Sequence, residues 1–138
     1  MARLASMLTI ASVMLTCIAN AQPTIKKTPI TSTSPTSGKE MFASYCTPCH
    51  GQDARGTGPA ATALTKAPAN LTELSARNGG KFPNVSVMET IRGESDMLVH
   101  ARDMPMWGAL FSSLSSNQDV VELRISNLID YLKSIQTK

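Results

Sequence analysis

Cys46-Thr47-Pro48-Cys49-His50 is the stretch that decides how the rest of this chain is read. Residues three apart on a helical turn share a face, so thiols at 46 and 49 can both reach the two vinyl groups of one porphyrin. A histidine directly after the second thioether is then held beside the iron. C-x-x-C-H is accordingly the attachment signature of a c-type haem. The same thiols also suit a dithiol redox site or part of a metal site, and the surrounding sequence has to discriminate.

Compartment bears on the choice. Arg3 supplies a positive end, residues 4–18 form an apolar run diluted by Ser and Thr, and Ala19-Asn20-Ala21 fits a small-residue cleavage site. Residues 1–21 therefore read as a signal peptide, with Gln22 as the mature N-terminus. A bilayer needs about 20 apolar residues, and this run falls short of that. Two alternatives place the chain on a membrane: an uncleaved signal, or a lipidated Cys17, although Thr16 stands where such signals carry a smaller residue. Cleavage removes Cys17 and leaves Cys46 and Cys49 as the thiols of the mature chain.

Those two thiols weigh against the other chemistries. A thioredoxin-like site wants its C-x-x-C beside a βαβ unit, and no alternating β-branched run flanks this one. A structural zinc needs four ligands with a second pair at close spacing. Cys46, Cys49, His50 and the distant His100 do not supply that pair, so no zinc is expected. The formal charge of +3 comes without a basic stripe, so no nucleic-acid partner is expected either. Aromatic residues make up only 4% of the chain, and a buried porphyrin would supply the missing apolar bulk.

Residues 22–36 (QPTIKKTPITSTSPT) show no apolar periodicity and read as a flexible, solvated Ser/Thr/Pro-rich tail. Order is expected from Ser37. Ser37-Gly38-Lys39-Glu40 has the S-x-x-E form of a capping box, in which Ser37 accepts from the Glu40 amide and Glu40 reaches back to the amide of Ser37. A short helix then carries Phe42, Cys46 and Cys49 on one face, and Pro48 is expected to help end it. Gly51, Gly56 and Gly58 mark a tight loop after His50.

Cys46-x-x-Cys49-His50-Gly51 followed by Gly56-Thr57-Gly58-Pro59 resembles the class I cytochromes c of bacterial periplasms. The resemblance implies an all-α, cytochrome c-like fold, with short helices and loops wrapped round one covalently bound haem over residues 37–138. It implies His50 as the proximal iron ligand and the Pro59 carbonyl as acceptor for the imidazole N–H. Met104-Pro105-Met106-Trp107-Gly108 resembles the axial-methionine loop of the same family. Met104, immediately before proline, then matches the distal ligand, with Met106 as the alternative and His100 as a lesser one that would give bis-histidine coordination. Trp107 offers a flat apolar surface with one donor, suited to the porphyrin edge or propionates. Leu71 and Phe82 are haem-contact candidates that ordinary core packing explains as well.

Two further helices are expected. Asn84 or Ser86 can cap one that carries Val87, Met88 and Ile91, with Gly93 as its stop. Val121, Ile125, Leu128, Leu132 and Ile135 form a sustained apolar stripe. Ser115, Ser116 or Asn117 can cap that helix. Phe42 and Tyr45 are expected to pack against it. The resemblance matches Tyr131-Leu132 to the aromatic-aliphatic pair with which the family's C-terminal helix crosses its N-terminal one.

The resemblance implies a function. A haem with both axial positions filled has no open place for substrate, which leaves one-electron transfer with larger redox proteins as donors and acceptors. The expected protein is a periplasmic mono-haem electron carrier with His/Met ligation, monomeric if free, and not an enzyme. An alternative is the same fold bound permanently as a subunit of a dehydrogenase or oxidase complex, with a membrane-bound respiratory complex as partner. A lesser alternative is a haem gas-binding protein.

Overall fold

The computed structural model describes residues 30–94 and 104–137. The expectations for residues 1–21, Cys17, His100 and the first part of the tail fall outside them. Among the described residues the chain forms helices and turns with no strand.

The first helix, α1 (Gly38–Met41), begins where its cap predicts: the Ser37 hydroxyl accepts the Glu40 amide at 3.2 Å. The reciprocal half of the box is built differently. A turn at 35–36 lets the Ser37 amide donate to the Ser34 carbonyl, so the Glu40 carboxylate accepts the Ser34 amide at 3.3 Å instead.

Pro48 does not end the helix. The chain widens into a π-turn over Phe42–Cys46 and then continues as α2 (Thr47–His50). Proline has no N–H and its ring collides with the carbonyl four residues back, here Ser44. A turn with one extra residue removes that collision. The Thr47 amide bonds the Phe42 carbonyl, five residues back, and the Thr47 hydroxyl donates to the Ala43 carbonyl at 2.7 Å. The helix stops at Gly51, whose amide bonds the Thr47 carbonyl at 2.9 Å.

The following loop folds back onto the end of α2. Amides of Gly56, Gly58 and Ala60 donate to the carbonyls of His50, Cys49 and Pro48 at 2.8, 3.0 and 2.8 Å. These carbonyls would otherwise be left without intrahelical partners. The approach requires glycine at 58, where an added Cβ would lie 2.4 Å from the Pro48 oxygen. Short 3₁₀ turns at Ala61–Ala63 and Leu71–Glu73 lead into α3 (Leu74–Arg77), with the Asn70 side chain accepting the Thr72 amide at 3.0 Å.

Helix α4 (Asn84–Arg92) stops at Gly93 as expected, with the Gly93 amide on the Glu89 and Thr90 carbonyls. Neither Asn84 nor Ser86 caps it: the N-cap position falls on Pro83, which has no side-chain acceptor. Helix α5 (Trp107–Leu114) starts inside the methionine-loop segment. Helix α6 (Gln118–Ser134) is capped by Asn117, whose side chain accepts the Asp119 amide at 2.8 Å.

The core gathers Met41 and Phe42, Ile91, Trp107 and Phe111, and the α6 residues Val121, Ile125, Leu128, Ile129 and Leu132. The expected stripe on α6 is therefore the buried one, with Ile135 partly buried at its end. Phe42 packs on Tyr131 of α6, ring centroids 5.3 Å apart. Tyr45 packs on Trp107 and Phe111 of α5, partly buried against the core.

α1 crosses α6 at Gly38. An added Cβ there would lie 2.0 Å from the Asn127 carbonyl oxygen and 2.8 Å from Tyr131 Cβ, so the backbones themselves are in contact. Gly38→Ala must push the two helices apart and is expected to cost about 3 kcal/mol. The check is the urea midpoint, which should fall at unchanged slope. An unchanged midpoint would contradict the crossing.

The end of the tail is fastened rather than free. Thr33 is buried, the Tyr45 hydroxyl donates to the Thr31 carbonyl at 2.7 Å, and Asn127 donates to the Pro35 carbonyl at 3.2 Å. A segment with no apolar periodicity is thus held by its own carbonyls and hydroxyls, a bonding pattern that hydropathy does not reveal.

Candidate functional site

Cys46 closes the π-turn, and Cys49 and His50 lie on α2. Both cysteines are free and partly buried. Burial, reinforced by the charge of Cys49, pushes the Cys46 thiol up to about 12 from 9.0. Reactive redox dithiols work the opposite way, through a lowered pKa that supplies thiolate at neutral pH.

The raised thiol has a pH consequence for the unmodified, reduced chain. Between about pH 9 and 12 the unfolded chain loses the Cys46 proton while the folded chain keeps it. Its contribution to stability is complete below pH 9.0 and is lost as pH rises toward 12. Denaturant midpoints measured across that range should fall, and Cys46→Ala should flatten the fall. A slope that persists in Cys46→Ala would place its origin elsewhere.

His50 Nδ1 lies 3.1 Å from the Ala69 carbonyl. Burial lowers its pKa below the usual 6.5, against an opposing pull from the Ala69 bond. A neutral ring that donates Nδ1–H to Ala69 leaves the Nε2 lone pair available to a metal, and such a bond fixes ring orientation and raises ligand basicity. The expected acceptor was the Pro59 carbonyl, and the structure corrects this. The returning loop commits the Gly58 amide to Cys49 and leaves Pro59 exposed, beside a hollow of about 510 Å³ lined by Thr47, Pro48, Gly51 and Asp53 among others. Ala69 reaches the ring because the Leu71 amide pins its segment to the Ala54 carbonyl at 2.8 Å.

The second motif meets the first through aromatic rings. Trp107, 8% exposed, stacks on Tyr45 with centroids 5.3 Å apart and planes 28° apart. Tyr45 immediately precedes Cys46. Residues at opposite ends of the sequence pattern are thus brought together by one contact. Of the two methionines, Met104 is partly buried against the core, whereas Met106 is 58% exposed. A Cβ on Gly93 would lie 2.7 Å from Met106 Cγ, which places that side chain over the end of α4. Leu71 and Phe82 also pack against the core, partly buried.

Comparison with protein families, with curated proteins and with solved structures finds no match. The chemistry of the site must be read from its own residues. Among the described residues no group of three His, Cys, Asp or Glu side chains is placed to hold a metal ion. Likewise, no helix among them is long and apolar enough to cross a membrane. The donors present are two reduced thiols three positions apart, a neutral imidazole directly after them, and a thioether on a segment stacked against the thiol-bearing turn.

Sequence reasoning missed Ala69, the Tyr45–Trp107 stack and the burial of Arg124. Ala69 acts through its backbone, which carries no residue-specific signature. Arg124 could have been found, since it falls on the buried face of α6 between Val121 and Leu128.

Proposed function

We propose that this chain is a one-electron carrier of the class I cytochrome c type, exported to the periplasm, with a cytochrome c-like fold round one haem c. The observation that carries the reading is the Tyr45–Trp107 stack, which joins the C-x-x-C-H turn to the Met104–Trp107 segment. Cys46 and Cys49 would hold the haem through thioethers. His50, with Nδ1–H on the Ala69 carbonyl, would present Nε2 to one side of the iron, and Met104 would close the other. Bound there, a haem would supply an Fe(III)/Fe(II) couple for one-electron exchange.

The chain's own contribution is to hold those ligands and to exclude water. The close loop on the end of α2 locks the carbonyls of residues 48–50 and so fixes the frame of His50. Trp107 and Phe111 pack with Tyr45 to make the flank of the thiol-bearing turn apolar. A dry surround disfavours the extra charge of the oxidised iron.

Spectroelectrochemical titration of the exported protein tests the reading. One reversible one-electron transition, with no carbon monoxide binding on mixing, is the expected result. Rapid carbon monoxide binding to the reduced protein would show an open position and overturn it.

A further inference from the structure

Arg124 is a buried cation with no ion-pair partner among the described residues. It is 4% exposed, and its Nε is buried without a hydrogen-bond partner. Among the described residues the ion pairs belong to Arg92, with Glu94 and Glu122. Arg124 has instead a neutral contact: Nη1 donates to the Thr33 hydroxyl at 3.1 Å. Guanidinium stays protonated at any ordinary pH, so its charge is held in the protein interior. Burying an unpaired charge is costly, and an ordinary core would place an aliphatic residue here.

The contact continues toward the thiols. The Tyr45 hydroxyl spends its proton on the Thr31 carbonyl at 2.7 Å. The Thr33 hydroxyl, 3.0 Å away, therefore donates to the Tyr45 oxygen and accepts from Arg124. A directed chain runs from Arg124 through Thr33 to Tyr45, the residue before Cys46 that stacks on Trp107. The unpaired charge is thus anchored to the side chain that links the two halves of the haem site.

We propose that Arg124 is a potential-setting residue: its fixed positive charge, held by Thr33 and Tyr45, favours the reduced state of the carrier. The inference rests on the electron-carrier reading above. Oxidation adds a positive charge at the iron, and a fixed cation joined through Thr33 to Tyr45, the residue before Cys46, opposes it across a low-dielectric interior. Thr33 has a separate task, which is to fasten residues 31–35 over this charge.

The test compares the exported, haem-loaded protein with Arg124→Gln, Arg124→Lys and Thr33→Val, reading midpoint potential by spectroelectrochemistry and amide hydrogen exchange at residues 31–35. Arg124→Gln keeps a donor and loses the charge, so its potential should fall. Arg124→Lys keeps the charge and should stay close to the parent. Thr33→Val should speed exchange across 31–35 while leaving the potential in place. An unmoved potential in Arg124→Gln would overturn the inference and leave the carrier reading intact. A fall of equal size in Arg124→Lys or Thr33→Val would also overturn it, because packing and not charge would then be responsible. A chain that carries no haem would contradict both.

Discussion

Replacing Cys46 and Cys49 together by alanine is expected to abolish covalent pigment completely. Denatured and separated on a gel, the exported parent should still stain for haem, and the double variant should not. Each single variant should keep one thioether and a weakened stain. The change is small in packing terms. Both side chains are partly buried, neither is in a disulfide, and each loses a single sulfur atom. Cys46→Ala removes a partly buried thiol whose ionisation the fold opposes, which leaves no buried partner unsatisfied. Loss of stain with retained helical signal would therefore report on chemistry at the thiols and not on collapse of α1 and α2. Retained stain in the double variant would remove the basis of the account.

Met104→Ala is the second large effect. The exported, oxidised parent should show the weak charge-transfer band of an iron–methionine bond, and Met104→Ala should lose it, gain carbon monoxide binding and drop steeply in potential. Met106→Ala should do none of these. The two methionines differ in placement: Met104 packs against the core, whereas Met106 lies exposed over Gly93 at the end of α4. Removing Met106 takes away a side chain from that turn and should alter stability only slightly. If Met106→Ala loses the band and Met104→Ala keeps it, the assignment of the ligand is reversed.

What could be read in the sequence was local or periodic. Ser37 capped its helix as its spacing with Glu40 implied, because an N-cap is a contact between near neighbours. The α6 stripe held because apolar burial repeats with the helix period over several turns. Pro48 reads as a stop, yet one extra residue in the preceding turn accommodates it. Helix α5 is hidden although Trp107, Leu110, Phe111 and Leu114 carry helical spacing, because the methionine-loop resemblance puts Trp107 in a loop. At the site, the closeness of Cys46, Cys49 and His50 is legible because they lie within five residues. The backbone partner of His50 is not, because which carbonyl arrives depends on the path of the 51–69 loop and not on residue type. The fastening of residues 31–35 was equally hidden, being made by long-range bonds to Tyr45, Arg124 and Asn127.

The most direct test of the central claim is the intact mass of the exported protein under denaturing conditions. The account predicts a chain beginning at Gln22 that carries the mass of one haem, retained after unfolding. A bare chain, or one lighter by two hydrogens through a Cys46–Cys49 disulfide, would contradict it.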